Sequence, residues 1–286
     1  MNILITGCNG QLGSELRLQQ SAHPTHHFIN TDIGELDISN QEQVDGFVAE
    51  HQIDGIINCA AYTAVDKAEG DKERCTTLNT LAPAYLANAV EQCGGWLIQI
   101  STDYVFNGKA YTPYVESDTP SPDIVYGSTK LASELGVSKF CHRAMVVRTA
   151  WLYSCFGHNF VKTMLRLGKE KPQIGVVADQ IGSPTYARDL ASALLSIVEQ
   201  GVQPGVFHYT NEGVASWYDF AKAVHRIYGI DGCEVLPLHT SEYPTAAHRP
   251  PYSVLDKTKI KQAYHLSIPH WEDSLRDCIK TIKEHE

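Results

Sequence analysis

Tyr126 and Lys130 stand four positions apart in Tyr126-Gly127-Ser128-Thr129-Lys130. On a helix this spacing puts both side chains on one face, about 6 Å apart along the axis. An ammonium beside a phenol stabilises the phenolate and lowers a pKa that is about 10 when unperturbed, so the tyrosine can exchange a proton near neutral pH. A second Tyr-x-x-x-Lys occurs at Tyr218 and Lys222, and spacing alone therefore identifies no site. That pair flanks an apolar stripe of Trp217, Phe220, Ala221, Val224, Ile227 and Tyr228 behind a plausible cap at Ser216, and it reads as a solvated helix flank. Around the first pair, Leu131, Ala132 and Leu135 are expected to form the core face, with Tyr126 and Lys130 turned away from it.

Two further groups complete a reaction centre. Ser101-Thr102-Asp103-Tyr104 ends an apolar run 24 residues before Tyr126. A hydroxyl at Thr102 can hydrogen-bond a carbonyl oxygen and stabilise the charge that develops under hydride attack; the plain alternative is a strand-ending cap. Gly7-x-x-Gly10-x-x-Gly13 follows one strand-like run and opens a helix. Glycine there lets backbone N–H groups approach a pyrophosphate, and the helix N-terminus adds partial positive charge. Asp32 follows Gly13 by 19 residues. Its carboxylate suits the ribose hydroxyl of NAD and opposes the 2′-phosphate of NADP, an effect that Arg17 offsets.

The elements that must position these residues follow an α/β rhythm. Strand-like runs at 2–6, 27–31, 55–58, 96–101 and 144–149 alternate with helical segments at 41–52, 73–92 and 127–140, the first of these opened by a capping box at Ser39-Asn40-Gln41-Glu42. This pattern predicts βαβ units and a Rossmann-type doubly wound parallel sheet over residues 1–150. After Trp151, polar loops at 179–185 and 236–253 separate helices near 159–168, 189–200, 217–228 and 271–283. Residues 151–286 are expected to form a smaller, mixed C-terminal substrate-binding lobe, with some segments free to return to the sheet.

Composition narrows the function. Lys plus Arg number 23 against 33 Asp plus Glu, a net charge of −10, which does not suit nonspecific binding to nucleic acid or anionic membrane. No 18-residue apolar run and no signal-peptide pattern is present, so a cytoplasmic protein is expected. The eight cysteines are scattered without a C-x-x-C pair and read as reduced, mostly buried thiols, with a cofactor-facing position the alternative for Cys8 in the glycine turn and Cys59 after an apolar strand; the 13 histidines include no H-x-x-x-H pair, so no zinc site is expected.

In this order and spacing, the glycine fingerprint, Thr102 and Tyr126-x-x-x-Lys130 resemble the extended, nucleotide-sugar branch of the short-chain dehydrogenase/reductases. Within that branch the chain resembles the dTDP-4-dehydrorhamnose reductase family. The blocks that carry the likeness are Thr6–Gly13, 60–69 (Ala60-Ala61-Tyr62-Thr63 onward), 101–106, 148–153, 179–185 and Arg249-Pro250. The resemblance implies reduction of the 4-keto group of dTDP-4-dehydro-L-rhamnose by NADPH or NADH. It makes Tyr126 the proton donor, Lys130 the anchor of the nicotinamide ribose, and Thr102 the partner of the carbonyl. Gly7, Gly10, Gln11, Leu12, Gly13, Asp32, Asp37, Ile38, Ala61, Tyr62 and Thr63 would line the cofactor. Asp103, Tyr104 and Trp151 would face the sugar, and Arg249 the substrate pyrophosphate. Some members of the family dimerise around magnesium held by acidic side chains of both subunits. Glu15 fits that role, but Arg188 puts a cation where a second carboxylate is expected and offers Glu15 a partner across an interface, so magnesium and a homodimer stay open.

Rival readings are weighed on the same residues. Nucleotide-sugar dehydratases carry Thr-Asp-Glu where this chain has Thr102-Asp103-Tyr104, so elimination lacks its base. An epimerase is not excluded by charge. A noncatalytic regulator, like the β subunit of methionine adenosyltransferase, shares the fold, although Thr102, Tyr126 and Lys130 favour catalysis.

Overall fold

The computed structural model describes residues 1–286. The five early apolar runs form β1 (Asn2–Thr6), β2 (His27–Thr31), β3 (Gly55–Asn58), β4 (Trp96–Thr102) and β5 (Ala144–Thr149). Between them lie α1 (Gln11–Gln19), α2 (Gln41–Glu50), α3 (Val65–Ala68), α4 (Lys72–Thr76), α5 (Ala82–Gln92) and α6 (Val125–Phe140). The remainder runs β6 (Leu152–Tyr153), α7 (Phe160–Glu170), β7 (Gln173–Val177), β8 (Ile181–Gly182), β9 (Thr185–Tyr186), α8 (Ala187–Gln200) and β10 (Gly205–His208), then β11 (Ala215–Ser216), α9 (Trp217–Tyr228), β12 (Glu234–Leu238), α10 (Thr258–Tyr264) and α11 (Trp271–Glu284).

Six strands form one parallel sheet in the order β10-β5-β4-β3-β1-β2. Central strands covered on both faces are near-continuous apolar runs, which is why they are readable despite the buried Asn58, Gln99 and Arg148 within them. On one face Ile3, Ile5, Ile57, Ile98 and Val147 pack against Leu12 and Leu16 of α1 and Leu190 and Leu194 of α8. On the other, Leu4, Ile56, Leu97 and Val146 meet Val44 and Val48 of α2, Leu86 and Val90 of α5, and Val137 of α6. The sheet is thus doubly wound, and its last strand and two covering helices, α8 and α10, come from beyond residue 150. A separate core gathers Val161 and Leu165 of α7, Phe220 and Val224 of α9, and Leu275 and Ile279 of α11 around Ile174 of β7 and Val235 of β12. No helix is long and apolar enough to cross a membrane.

Three local features go beyond or against the sequence pattern. The cap of α2 is Asn40, whose Oδ1 accepts the Gln43 N–H, while Ser39 instead donates to Asp37. The helical region expected over 73–92 runs without a break from Lys72 to Gln92, but it passes through a π-helical turn at Thr77–Leu81 that the pattern does not reveal, with Pro83 just behind it. The third concerns α6. Its buried face is the polar one, Tyr126, Thr129, Lys130, Ser133 and Glu134 with Val137, whereas Leu135 is 67% exposed. Hydrogen-bonding partners on β4 and β5 make that burial tolerable, and an apolar wheel cannot anticipate them. The solvated flank holds for Lys222, which is exposed, while Tyr218 is half-buried against the second core, and Ser216 closes a capping box with Asp219.

Candidate active site

The β1–α1 turn has backbone where side chains would otherwise stand. Gly7 has φ +62°, and a Cβ there would lie 2.8 Å from the Ala60 backbone; at Gly13 it would lie 2.4 Å from the Gly7 carbonyl oxygen. No side chain caps α1, so its first N–H groups are left for an anion. The turn opens on a cavity of about 590 Å³ lined by Gly7, Gly10, Gln11, Leu12, Gly13, Asp32, Asp37, Ile38, Ala61, Thr63 and Lys130. Thr31, Leu78, Ile100, Ser101, Leu152 and His158 also line it; none was anticipated, although Thr31 and Ser101 close strands whose ends were. An uncapped helix start, a glycine cradle and an acidic far end suit a dinucleotide. At that far end Asp32 accepts the N–H groups of Asn9 and Ile33, and Arg17 donates to the Asn9 side chain at 3.0 Å.

Tyr62 and Tyr126 do not line this cavity; they meet beside it in a small cluster with Tyr104, Ala68 and Cys75. Asn79, in the π-helical turn, fixes the Tyr62 backbone by accepting its N–H at 2.8 Å and donating to its carbonyl at 3.0 Å. At the end of β4, Thr102 does cap the following turn, accepting the Tyr104 N–H at 3.2 Å and donating to Asp103 Oδ1 at 3.0 Å. The same hydroxyl lies against the Tyr126 phenol, whose ring meets Tyr104 edge-on with centroids 5.6 Å apart. Asp103 is buried, its second carboxylate oxygen is without a partner, and burial lifts its pKa to about 6 against the hydrogen bond from Thr102.

The expected acidification of Tyr126 by Lys130 is not what the structure shows. Burial raises the Tyr126 pKa above that of a free phenol, and the Thr102 hydroxyl only partly opposes it. The Lys130 Nζ donates instead to the Ile100 carbonyl at 2.6 Å, and burial pulls its pKa down to about 8 while the Glu134 carboxylate opposes the fall. At neutral pH the pair is therefore a protonated phenol and an ammonium.

The remaining candidates lie in the C-terminal segments. Arg249 donates to Asp66 Oδ2 at 2.6 Å and to the Ala247 carbonyl at 3.2 Å, which ties its loop to α3 and puts its charge beside Tyr104. Trp151 adopts φ +49° and stacks on Trp217 at 3.6 Å; a Cβ on Gly182 would strike its ring at 2.6 Å. Glu15 does meet Arg188, but inside one chain: the Nε–Oε2 distance is 3.4 Å, Ser154 donates to Oε1 at 2.6 Å, and Glu15 is wholly buried. The interface pairing is thus corrected, and this enclosed carboxylate does not fit an interfacial magnesium.

A doubly wound sheet with a glycine turn, with Thr102 at the end of β4 and Tyr126 and Lys130 on α6 beside it, defines a Rossmann-fold oxidoreductase of the short-chain dehydrogenase/reductase class. The chain belongs to the dTDP-4-dehydrorhamnose reductase family, for the family model described as the RmlD substrate binding domain matches residues 1–284. A dTDP-4-dehydrorhamnose reductase of Mycolicibacterium smegmatis is 42% identical over 282 residues, covering 98% of this chain and 85% of that protein. A solved dTDP-4-dehydrorhamnose reductase of Clostridium acetobutylicum, also 42% identical, superposes with a TM-score of 0.94 over 99% of this chain and 100% of its own. One from Bacillus anthracis, in complex with NADP, is 40% identical with a TM-score of 0.93, over 98% and 99%.

Proposed function

We propose that the chain reduces the 4-keto group of dTDP-4-dehydro-L-rhamnose to give dTDP-L-rhamnose, using NADPH or NADH. The observation that carries the reading is the burial of Thr102, Tyr126 and Lys130 together where β4 ends beside the dinucleotide-sized cleft. When bound, the reduced nicotinamide supplies the hydride that adds to the carbonyl carbon. Thr102 holds the carbonyl oxygen, and Tyr126 gives it the proton. A phenol kept protonated by burial is the competent form for this direction. Lys130, an ammonium at neutral pH, is placed to hold the nicotinamide ribose. Gly7, Gly10, Gln11, Leu12 and Gly13 cradle the pyrophosphate, with Asp37, Ile38, Ala61 and Thr63 along the cleft. Tyr62 acts from behind, through the backbone that Asn79 fixes. Asp103, Tyr104 and Trp151 border the sugar. Oxidation of NADPH that depends on a 4-keto-6-deoxy nucleotide sugar, followed at the absorbance band of the reduced nicotinamide, tests the reading; no substrate-dependent loss would favour a binding-only regulator.

Two side chains carry separable expectations. The Asp66 carboxylate and the Ala247 carbonyl take one donor from each terminal nitrogen of Arg249, and the remaining guanidinium N–H groups are left to meet a phosphate. Arg249→Met raises KM for the nucleotide sugar about tenfold or more, the scale of one charged hydrogen-bonded contact, and changes kcat little. A kcat loss at unchanged KM would remove Arg249 from the diphosphate. Asp32→Asn takes away the charge that opposes a 2′-phosphate, and the ratio of kcat/KM for NADPH over NADH rises roughly tenfold. An unchanged ratio would place the adenosine ribose elsewhere.

A further inference from the structure

We infer that Glu134 and Arg148 are a positioning pair for this reaction, a buried couple that supports the Lys130 ammonium and fixes the end of β4 that bears Thr102. The inference rests on the reductase reading above. Glu134 lies one helical turn beyond Lys130 on α6 and is 4% exposed. Its Oε1 accepts from Ser101 Oγ at 2.5 Å and Arg148 Nε at 2.9 Å, and its Oε2 accepts from Arg148 Nη2 at 2.6 Å. Ser101 stands between Ile100, whose carbonyl takes the Lys130 proton donor at 2.6 Å, and Thr102. One carboxylate therefore joins the helix that carries the lysine to the strand residues that carry the carbonyl partner.

The far side of the pair is equally closed. Arg148 donates to His208 Nε2 at 3.4 Å, while His208 Nδ1 faces the Tyr114 carbonyl at 3.1 Å and the Phe106 ring lies 5.0 Å from the guanidinium. Burial, with the Arg148 cation, pushes the His208 pKa down to about 3, so its imidazole stays neutral and Nε2 remains an acceptor. Apolar residues of equal volume often stabilise a fold as well as a buried ion pair does, so stability alone is a weak reason for this one. Proximity to Lys130 is a better reason. The ionisable groups that face this lysine are Glu134 on its own helix, Cys75 on α4 and Cys59 beyond β3, and only Glu134 is a carboxylate.

The alkaline limb of kcat/KM for NADPH reads the lysine's charge, since the ribose loses its donor as pH rises through the lysine pKa. In the wild type that limb falls near 8, the value to which burial brings Lys130. In Glu134→Gln it moves down by about one pH unit. Leaving Arg148 unpaired strands a buried cation and costs stability, so the double variant Glu134→Leu/Arg148→Met, with an apolar couple in the same space, is measured beside it with melting of both. The expected result is a double variant that melts close to the wild type and still shows the lowered limb. A wild-type limb in the folded double variant, or lost stability with an unmoved limb in Glu134→Gln, overturns the inference and leaves the pair a role in folding only. Lys130→Met separates the two levels: if it keeps wild-type kcat/KM, the lysine's part in the reductase reading fails first and the pair's role with it.

Discussion

Tyr126→Phe lowers kcat by about 10²-fold or more at neutral pH, the scale on which a positioned general acid acts, and leaves KM for the nucleotide sugar within a few-fold. The ring is buried against Tyr104 and the Thr102 hydroxyl, and phenylalanine fills the same volume. The variant therefore loses the proton without opening a cavity, and its melting temperature stays near that of the wild type. Single-turnover decay of reduced-nicotinamide absorbance under saturating substrate separates this from a binding defect. Turnover within about threefold of the wild type would mean that solvent or Asp103, whose pKa burial sets at about 6, delivers the proton instead.

Arg148→Met alone destabilises the fold by about 3–5 kcal/mol, the cost of stranding one partner of a buried pair. The guanidinium is 3% exposed; it gives two hydrogen bonds to Glu134 and one to His208 and covers the Phe106 ring. Methionine replaces the packing and none of the donors, so Glu134 keeps only Ser101. For a chain of this size the melting temperature falls by roughly 10 °C. Denaturant titration at pH 7 gives the free energy directly. A loss below about 1 kcal/mol would show that water or a shifted side chain reaches Glu134 and that the pair is not sealed.

What the chain discloses before folding is uneven, and the reason is physical. The strands declared themselves because parallel strands under two helical layers are continuous apolar runs, and Gly7, Gly10 and Gly13 did so because a crowded turn admits little else. The face of α6 stayed hidden because what makes it buriable, Ser101, Arg148 and the Ile100 carbonyl, comes from β4 and β5. Glu134 escaped notice for the same reason, being an ordinary surface residue on a helical wheel until Arg148 is brought to it. Arg249 was singled out, but its partner Asp66 stands 183 positions away. The lysine–tyrosine spacing puts both residues on the buried face of α6, yet burial sets the direction of the phenol's pKa, which a spacing does not report.

The late strand β10, paired to β5 across more than fifty intervening residues, bears on how the protein is made. While the ribosome is still adding the chain beyond β5, that strand's outer margin carries a row of unmatched amides and carbonyls, the kind of edge that recruits strangers. The six-stranded sheet therefore cannot be finished by residues 1–150 alone. It must wait for Gly205–His208 to emerge, and a nascent chain stalled near residue 150 would need a chaperone more than the completed polypeptide does.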